Sequence, residues 1–199
     1  MISKPIDVST PILPLLAQRY SGVSFDGTRL VSHEDLLTLA EAGRWAPSCF
    51  GDEPWRFIVC SKQANPEAWN KALQCLSEKN QAWCQHAPVL IITCASLVFD
   101  HNGSPNSFGP YDTGAAAMSM CVQATALGLM THQMAGFVAD TARELFLIPE
   151  TVKPLSMMAL GYQLPADKLL EEFRTRELSP RKRKPLGEHF FGGVWGVGL

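Results

Sequence analysis

Val89-Leu90-Ile91-Ile92-Thr93-Cys94-Ala95 is a continuous apolar run, rich in β-branched side chains, near the middle of a chain of 199 residues. A run of this kind, without alternating polar positions, predicts a strand that is buried on both faces. Such a strand needs other layers of structure on either side, and the flanking segments mix short apolar runs with long helical patterns. The sequence therefore predicts a sheet covered by helices.

The flanking segments supply the other elements of this architecture. Apolar runs predict strands at 57–60 and 155–162, and a strand or extended segment at 130–137. Helical patterns that begin with a capping side chain or a proline predict the helices. They are expected at 11–19, from Ser32 to about Ala46, at 66–84, at 112–127, from a cap at Asp140, and at 166–177. No repeat or low-complexity linker divides these elements, so the whole chain, 1–199, is predicted to be one domain.

Three segments have features that a sheet covered by helices does not explain. The predicted helix at 112–127 is apolar nearly all round, so it must be covered on every side by its own domain or by a partner subunit. Residues 100–110 are rich in Asn, Gly, Pro and Ser, which predicts a mobile lid. The last residues, about 180–199, combine Pro and Gly with isolated aromatics, which predicts an extended arm lying across another surface.

Composition argues against several classes of function. The net charge of −2 is unlike the basic surface that nucleic-acid binding needs. The six cysteines are irregularly spaced and no histidine pair has metal-ligand spacing, which predicts reduced thiols and no metal site. No apolar stretch reaches the roughly 20 residues of a membrane helix, and the N-terminal segment does not resemble a signal peptide. The sequence predicts a cytoplasmic protein without nucleic-acid or membrane partners.

Three distant segments supply cationic or hydroxyl donors on or beside a turn. They are Arg19-Tyr20-Ser21, the stretch from Ala46-Pro47-Ser48 to Pro54-Trp55-Arg56-Phe57, and Arg181-Lys182-Arg183-Lys184-Pro185-Leu186. Guanidinium groups bind phosphate in bidentate geometry. Together the segments could surround a phosphate and leave a flat apolar slot for a ring.

The order of these motifs resembles the nitroreductase family of FMN-dependent NAD(P)H oxidoreductases. The resemblance also rests on Ala-Leu-Gly-Leu-x6-Gly-Phe at 126–137, Leu-Gly-Tyr at 160–162, and Arg-Lys-Pro-Leu before an aromatic tail. It covers nearly the whole chain. It implies an α+β fold with a central, mostly antiparallel sheet flanked by helices, a homodimer whose extended termini wrap the partner, and FMN bound at the dimer interface. The helix at 112–127 would then form the dimer core.

Carried over position by position, the resemblance implies a cofactor site built from four segments. The phosphate and ribityl contacts would come from Arg19, Tyr20, Ser21, Arg181 and Arg183. Contacts from the partner subunit would come from Pro47 and Ser48, with Gly51 and Glu53 toward the pyrimidine edge of the flavin. The main chain near flavin N5 and O4 would come from Met134, Ala135 and Gly136.

The chain departs from the family pattern at three positions. The family usually has Asn where Gly51 stands, Gln where Glu53 stands, and Lys or Arg where Val23 stands. An ionised Glu53 accepts a hydrogen bond from flavin N3–H but cannot donate one to a carbonyl. A missing cation at Val23 removes a charge that would stabilise the reduced, anionic flavin. The resemblance therefore implies FMN binding with an atypical redox potential.

The implied activity is hydride transfer from NAD(P)H to flavin N5 and then to a nitroaromatic, quinone or similar acceptor. One site would serve both half-reactions, which predicts ping-pong kinetics. No catalytic side chain is required, because the flavin carries the hydride and water provides protons. His132, three residues before Ala135, is the one histidine singled out as an active-site candidate.

Two other interpretations stay open from the sequence. One keeps the fold and the flavin but changes the chemistry to dehalogenation, flavin degradation or azo reduction. The other is a non-enzymatic binding protein that uses the basic run 181–184 for an acidic partner.

Overall fold

The computed structural model describes Ile2, Lys4 and residues 6–199. Within that part of the chain, four strands form one sheet in the order β1-β2-β4-β3, and every neighbouring pair is antiparallel. The strands are β1 (Trp55–Ser61), β2 (Val89–Ser96), β3 (Met130–Met134) and β4 (Val152–Gly161). The helices are α1 (Pro14–Gln18), α2 (His33–Arg44), α3 (Pro66–Gln74), α4 (Glu78–Cys84), α5 (Gly109–Ala126), α6 (Ala139–Phe146) and α7 (Glu171–Leu178). The predicted α+β fold is confirmed.

The sheet lies between two apolar clusters, one on each face. One face carries side chains of α3, α4 and α6, with Trp69 and Trp83 as the largest members. The other face carries side chains of α2 and α5, with Leu39 and Met120 among them. Every residue of β2 is buried, because this strand is central in the sheet and contributes to both clusters. The expectation for the run at 89–95 is confirmed.

Several helix boundaries differ from the predicted ones. The expected helix at 66–84 is two helices, because Leu76 pairs with Phe137 between them. The first helix begins at Pro14 rather than near Pro11. Helix α6 begins at Ala139 with Val138 in the capping position, so Asp140 does not cap it. The segment at 166–177 is a short 3-10 turn followed by α7, since the residues between them are extended.

Helix α5 is covered on one side only. Its buried side packs on the sheet and α2, whereas Tyr111 and Met118 are exposed on the other side. Gly114 lies between them and is also exposed, so the exposed positions follow helical spacing. The sequence left open whether its own domain or a partner subunit covers this helix, and the described residues leave this apolar stripe uncovered.

The chain beyond α7 has little regular structure. It forms a 3-10 turn at Leu186–Glu188 and folds back on itself through a bridge between Phe191 and Gly198. Several large apolar side chains of this arm are exposed, namely Phe190, Val194, Trp195, Val197 and Leu199. None of the helices in the described ranges has the length and hydropathy to cross a membrane.

Candidate active site

The three arginines predicted to bind phosphate do not have the same environment. The guanidinium of Arg181 donates to the main-chain carbonyls of Arg19, at 2.8 Å, and of Lys4 and Ala17. Its donors are therefore engaged with the N-terminal segment, and Nε is buried without a partner among the described residues. This corrects the expectation for Arg181, which ties the chain at residue 181 to the segment before Arg19.

Arg19 and Arg183 keep their charges available. Across the part of the chain that the structure describes, neither forms an ion pair with a carboxylate. Burial lowers the pKa of Arg181, and the positive charges of Arg19 and Arg183 nearby lower it further. Three guanidinium groups this close together repel one another unless a bound anion offsets their positive charge. The arrangement suits a phosphate.

Lys4 extends this cationic cluster in a way that the sequence did not indicate. Its ammonium group donates to the carbonyl of Arg176 and lies 4.9 Å from the ring centre of Tyr20. Burial is the largest cause lowering the pKa of Lys4; the charges of Arg181 and Arg176 lower it further and Glu177 partly offsets them. No motif marks Lys4, because its hydrogen bond to Arg176 joins residues that are 172 positions apart.

Tyr20 is a correction among the predicted contacts. Its ring is in the core, with only 5% of the residue exposed, and its hydroxyl donates to Oε2 of Glu177 at 3.3 Å. Burial and the neighbouring carboxylate both raise the pKa of this hydroxyl. Ser21 is exposed and Arg19 is half-buried, so these two residues are the accessible members of the motif.

Glu177 is the most unusual side chain in this region. Only 1% of the residue is exposed, yet its carboxylate accepts hydrogen bonds from four donors of the surrounding chain. Sequence reasoning missed it, since a glutamate in a polar helix is ordinarily solvated.

The segment after β3 divides into a buried and an exposed part. Met134 is buried, and its Sδ lies 3.4 Å from Sγ of Cys84, so its side chain belongs to the core, and the flavin contact expected of its main chain stays a prediction. Ala135 and Gly136 are exposed. A Cβ at Gly136 would lie 2.6 Å from Nδ2 of Asn80, which explains the glycine. The main chain at 135 and 136 is thus accessible and fixed in place.

The contacts of His132 are those of a structural residue. Nδ1 lies 2.8 Å from the carbonyl of Gly22, and the ring centre lies 4.7 Å from that of Trp83. A carbonyl only accepts, so Nδ1 carries the proton here. Burial is the main cause that lowers the pKa of His132. The side chain is neutral and held in place, which does not favour the active-site role.

The loop before β1 has an unusual backbone. Phe50, Gly51 and Glu53 all have positive φ, at 56°, 67° and 49°. For two residues with side chains this costs free energy, and such strain is concentrated at functional sites. The hydroxyl of Ser48 holds the loop by accepting from the amide of Glu53 at 3.0 Å. Pro47 is exposed at its start.

The expected lid at 100–110 is fastened to this loop. The carboxylate of Asp52 accepts from the amide of Asp100 at 2.9 Å and from Nδ2 of Asn106 at 3.2 Å. The last residues of the lid segment, from Gly109, belong to α5. Sequence reasoning missed Asp52, because its partners lie about fifty residues away.

An open cleft of about 730 Å³ lies between the loop and this lid. Phe50, Arg56 and His101 are among its lining residues. The rings of Phe50, Phe99 and His101 pack together with centres 5.3–5.8 Å apart. The cleft therefore offers aromatic surface next to charged groups.

The predicted site residues fall into two groups at opposite edges of the sheet. The phosphate group, defined as Arg19, Ser21 and Arg183, lies beside edge strand β3, since Gly22 contacts His132 in that strand. The loop group, defined as residues 47–53, precedes the other edge strand, β1. One chain does not bring the two groups together. Within the described ranges, no group of three or more His, Cys, Asp or Glu side chains is placed to hold a metal ion.

Comparison with known proteins identifies the family to which this chain is similar. The model of the nitroreductase family matches residues 16–162, which include Arg19, the loop group and Gly136. A solved structure described as an oxidoreductase containing FMN is 32% identical, with a TM-score of 0.89 and coverage of 100% of both chains.

Two further relatives agree. A nitroreductase family protein from Clostridium difficile 630 is 26% identical, with a TM-score of 0.70, covering 93% of this chain and 99% of that one. The "Putative NAD(P)H nitroreductase" of Staphylococcus aureus (strain USA300) is 28% identical over 185 residues, covering 73% of this chain and 83% of that protein.

Proposed function

The chain belongs to the nitroreductase family, and on that premise we propose that it is an FMN-dependent NAD(P)H oxidoreductase. The observation that carries the proposal is that Arg19 and Arg183 lie near the engaged guanidinium of Arg181, and neither has a carboxylate partner among the described residues. A flavin mononucleotide has the dianionic phosphate that such a cluster needs. A solved structure similar to this chain is described as an oxidoreductase containing FMN.

The residues present fit this cofactor. Arg19, Ser21 and Arg183 would hold the phosphate, and the accessible main chain at Ala135 and Gly136 would face the ring system. When bound, FMN would supply hydride transfer from NAD(P)H to an acceptor such as a nitroaromatic or a quinone. The protein would bind and orient both substrates in turn at one face, which gives ping-pong kinetics.

The complete site belongs to a homodimer in this proposal. The loop group and the phosphate group lie at opposite edges of one sheet, so the loop group would reach the cofactor held by the other subunit. The exposed stripe of α5 at Tyr111, Gly114 and Met118 is the surface that would pack between the subunits. The cleft at Phe50 and His101 would then lie over the partner's flavin and accept an aromatic substrate.

The alternative of a binding protein that uses the basic run 181–184 has little support. Arg181 is engaged with main-chain carbonyls, and Lys184 pairs with Glu188 at 3.5 Å. Two of the four charges are therefore not free for an acidic partner.

The visible spectrum of the purified protein tests the proposal first. We expect flavin bands, with about one FMN per subunit after release by denaturation, as for a stoichiometric cofactor. Steady-state turnover with NADH and NADPH then separates this activity from a different flavin chemistry. A colourless protein that takes up no added FMN contradicts the proposal.

Replacing both Arg19 and Arg183 by Ala tests the phosphate assignment. Each charged hydrogen bond is worth about 1.5–3 kcal/mol, so the FMN dissociation constant should rise by about two orders of magnitude or more. The double variant Lys182→Ala, Lys184→Ala removes the same charge from the same region and should retain FMN. Equal retention by both double variants would show that the phosphate binds elsewhere.

A further inference from the structure

Helix α7 contacts the rest of the protein through the partly buried ring of Phe173 and through an acidic side chain. Of its eight residues, Glu177 is the only one that is buried. A helix usually packs through an apolar stripe, and burying a carboxylate is unfavourable unless hydrogen bonds replace its water. The contacts of Glu177 therefore need a reason beyond packing.

The carboxylate is enclosed by the segment that follows Arg19. Oε1 accepts from the amides of Val23 and Ser24, the latter at 2.8 Å. Oε2 accepts from the hydroxyl of Tyr20 and from Nε2 of Gln163, both at 3.3 Å. Four donors converge on one carboxylate, and three of them belong to residues 20–24. The carboxylate thus fixes the path of this short segment.

The fit leaves no space at the centre of the segment. A Cβ at Gly22 would lie 3.0–3.1 Å from both carboxylate oxygens and 2.4 Å from Sδ of Met130. Ser21, the residue before it, is exposed and has its side chain available to a ligand. The contact with Glu177 is therefore made within two residues of Ser21.

Arg181, four residues further along the chain and beyond the end of α7, holds the same segment from the other end. Its guanidinium donates to the carbonyls of Ala17 and Arg19. The chain from Glu177 to Arg181 thus holds the segment at two places. Arg181 contacts the main chain at Arg19, and the contacts of Glu177 lie on both sides of Ser21. The negative charge of Glu177 also lies near cations. Lys4 is close enough to interact with Glu177 and with Arg176.

We propose that Glu177 is a positioning residue of the phosphate site. Through the amides of Val23 and Ser24 it holds Arg19 and Ser21 in the geometry that binds a phosphate monoester. This inference rests on the proposed function, because it assumes that these two residues bind the FMN phosphate. It assigns no contact between Glu177 and the cofactor itself.

The test compares FMN with riboflavin, which has the same ring and ribityl chain but no phosphate. Flavin is removed from the wild type and from Glu177→Ala, and the dissociation constants of both ligands are measured by fluorescence quenching. We expect FMN to bind at least about tenfold more weakly to the variant, with the riboflavin constant changed less than about twofold. A merely structural role would weaken both ligands equally, and that result overturns the proposal.

Controls separate positioning from loss of stability. Leu169→Ala removes a buried side chain just before α7 and should lower the melting temperature without changing the ratio of the two constants. Glu172→Ala removes an exposed carboxylate from the same helix and should change neither. If Leu169→Ala changes the ratio as much as Glu177→Ala does, the proposal is overturned.

Glu177→Gln keeps the test decisive if the alanine variant does not fold. The glutamine amide would meet Nε2 of Gln163, a second donor, so the hydrogen bonds could not all form. We expect a fall of about threefold or more in the preference for FMN over riboflavin; an unchanged preference contradicts the proposal. A wild-type protein that binds neither flavin would instead contradict the proposed function.

Discussion

At the scale of single residues, the half-buried imidazole of His132 links stability to pH. Burial lowers its pKa below the ordinary value of 6.5, and the charges of Arg176 and Arg19 act in the same direction. Gly22 and Glu177 oppose this shift but do not reverse it. The unfolded chain therefore binds a proton more readily than the folded protein does as pH falls through about 6.5.

The free energy of unfolding should consequently decrease as pH is lowered from 7.5 to 5.5. In His132→Gln, which can still donate to the carbonyl of Gly22, the decrease should be smaller. The measurement is the melting temperature across this range, with His33→Gln as the control because His33 is exposed. An identical slope in wild type and His132→Gln would show that His132 does not titrate in this range.

The sequence gives the chemical groups that are available to the site, but it does not predict which groups each side chain contacts or whether the side chain is exposed. Arg181 and Arg183 are equivalent in the sequence pattern, yet Arg181 donates to carbonyls of the distant N-terminal segment, whereas Arg183 donates to the carbonyl of its neighbour Lys182. Tyr20 and Ser21 are neighbours with opposite exposure. Glu177 has no signal at all, because its burial depends on donors from residues 20–24 and 163, which are distant in sequence.

At the scale of elements, Asp52 determines how the lid is held. Its side chain is only 3% exposed and binds the amide of Asp100 and the side chain of Asn106. Asn106 is itself buried, so removing its acceptor leaves an unsatisfied donor, at a cost of about 1–3 kcal/mol. The fastening thus opposes opening of the lid.

Asp52→Ala should increase the mobility of the lid. Hydrogen exchange of the peptide covering 97–108 should become faster, while peptides from β2 should be unchanged. Asp100→Ala is the matched control, because it keeps the main-chain amide and removes only a 3.4 Å contact with Arg56. Unchanged exchange in Asp52→Ala would mean that other contacts hold the lid.

Elements are predictable where the signal is local and unpredictable where it is not. The apolar run of β2 and the cap of α2, in which Ser32 accepts from the amide of Asp35, are both local. The end of α3 is not, because the chain there pairs with Phe137 and the amide of Val138 donates to Cys75. The sequence alone continues this helix to Cys84.

At the scale of the whole molecule, the division of the site between two sheet edges favours a homodimer. The stripe on α5 and the exposed aromatics of the arm, Phe190 and Trp195, are surfaces that one chain leaves uncovered. Apolar area of this kind is typical of an interface between subunits. The sequence predicts a dimer from a resemblance, and the assignment of both groups to one site comes from the same resemblance. The exposed apolar stripe of α5 is a separate structural observation.

This division has a genetic consequence. An allele that loses the phosphate group, Arg19→Ala with Arg183→Ala, and an allele that loses the loop group, such as Gly51→Val at a left-handed position, would each be inactive in a homodimer. Expressed together, they would form mixed dimers in which one site carries both defects and the other carries none. Random pairing then restores about a quarter of wild-type activity. The two alleles should complement each other in one cell, and failure to do so would place both groups in the same chain's site.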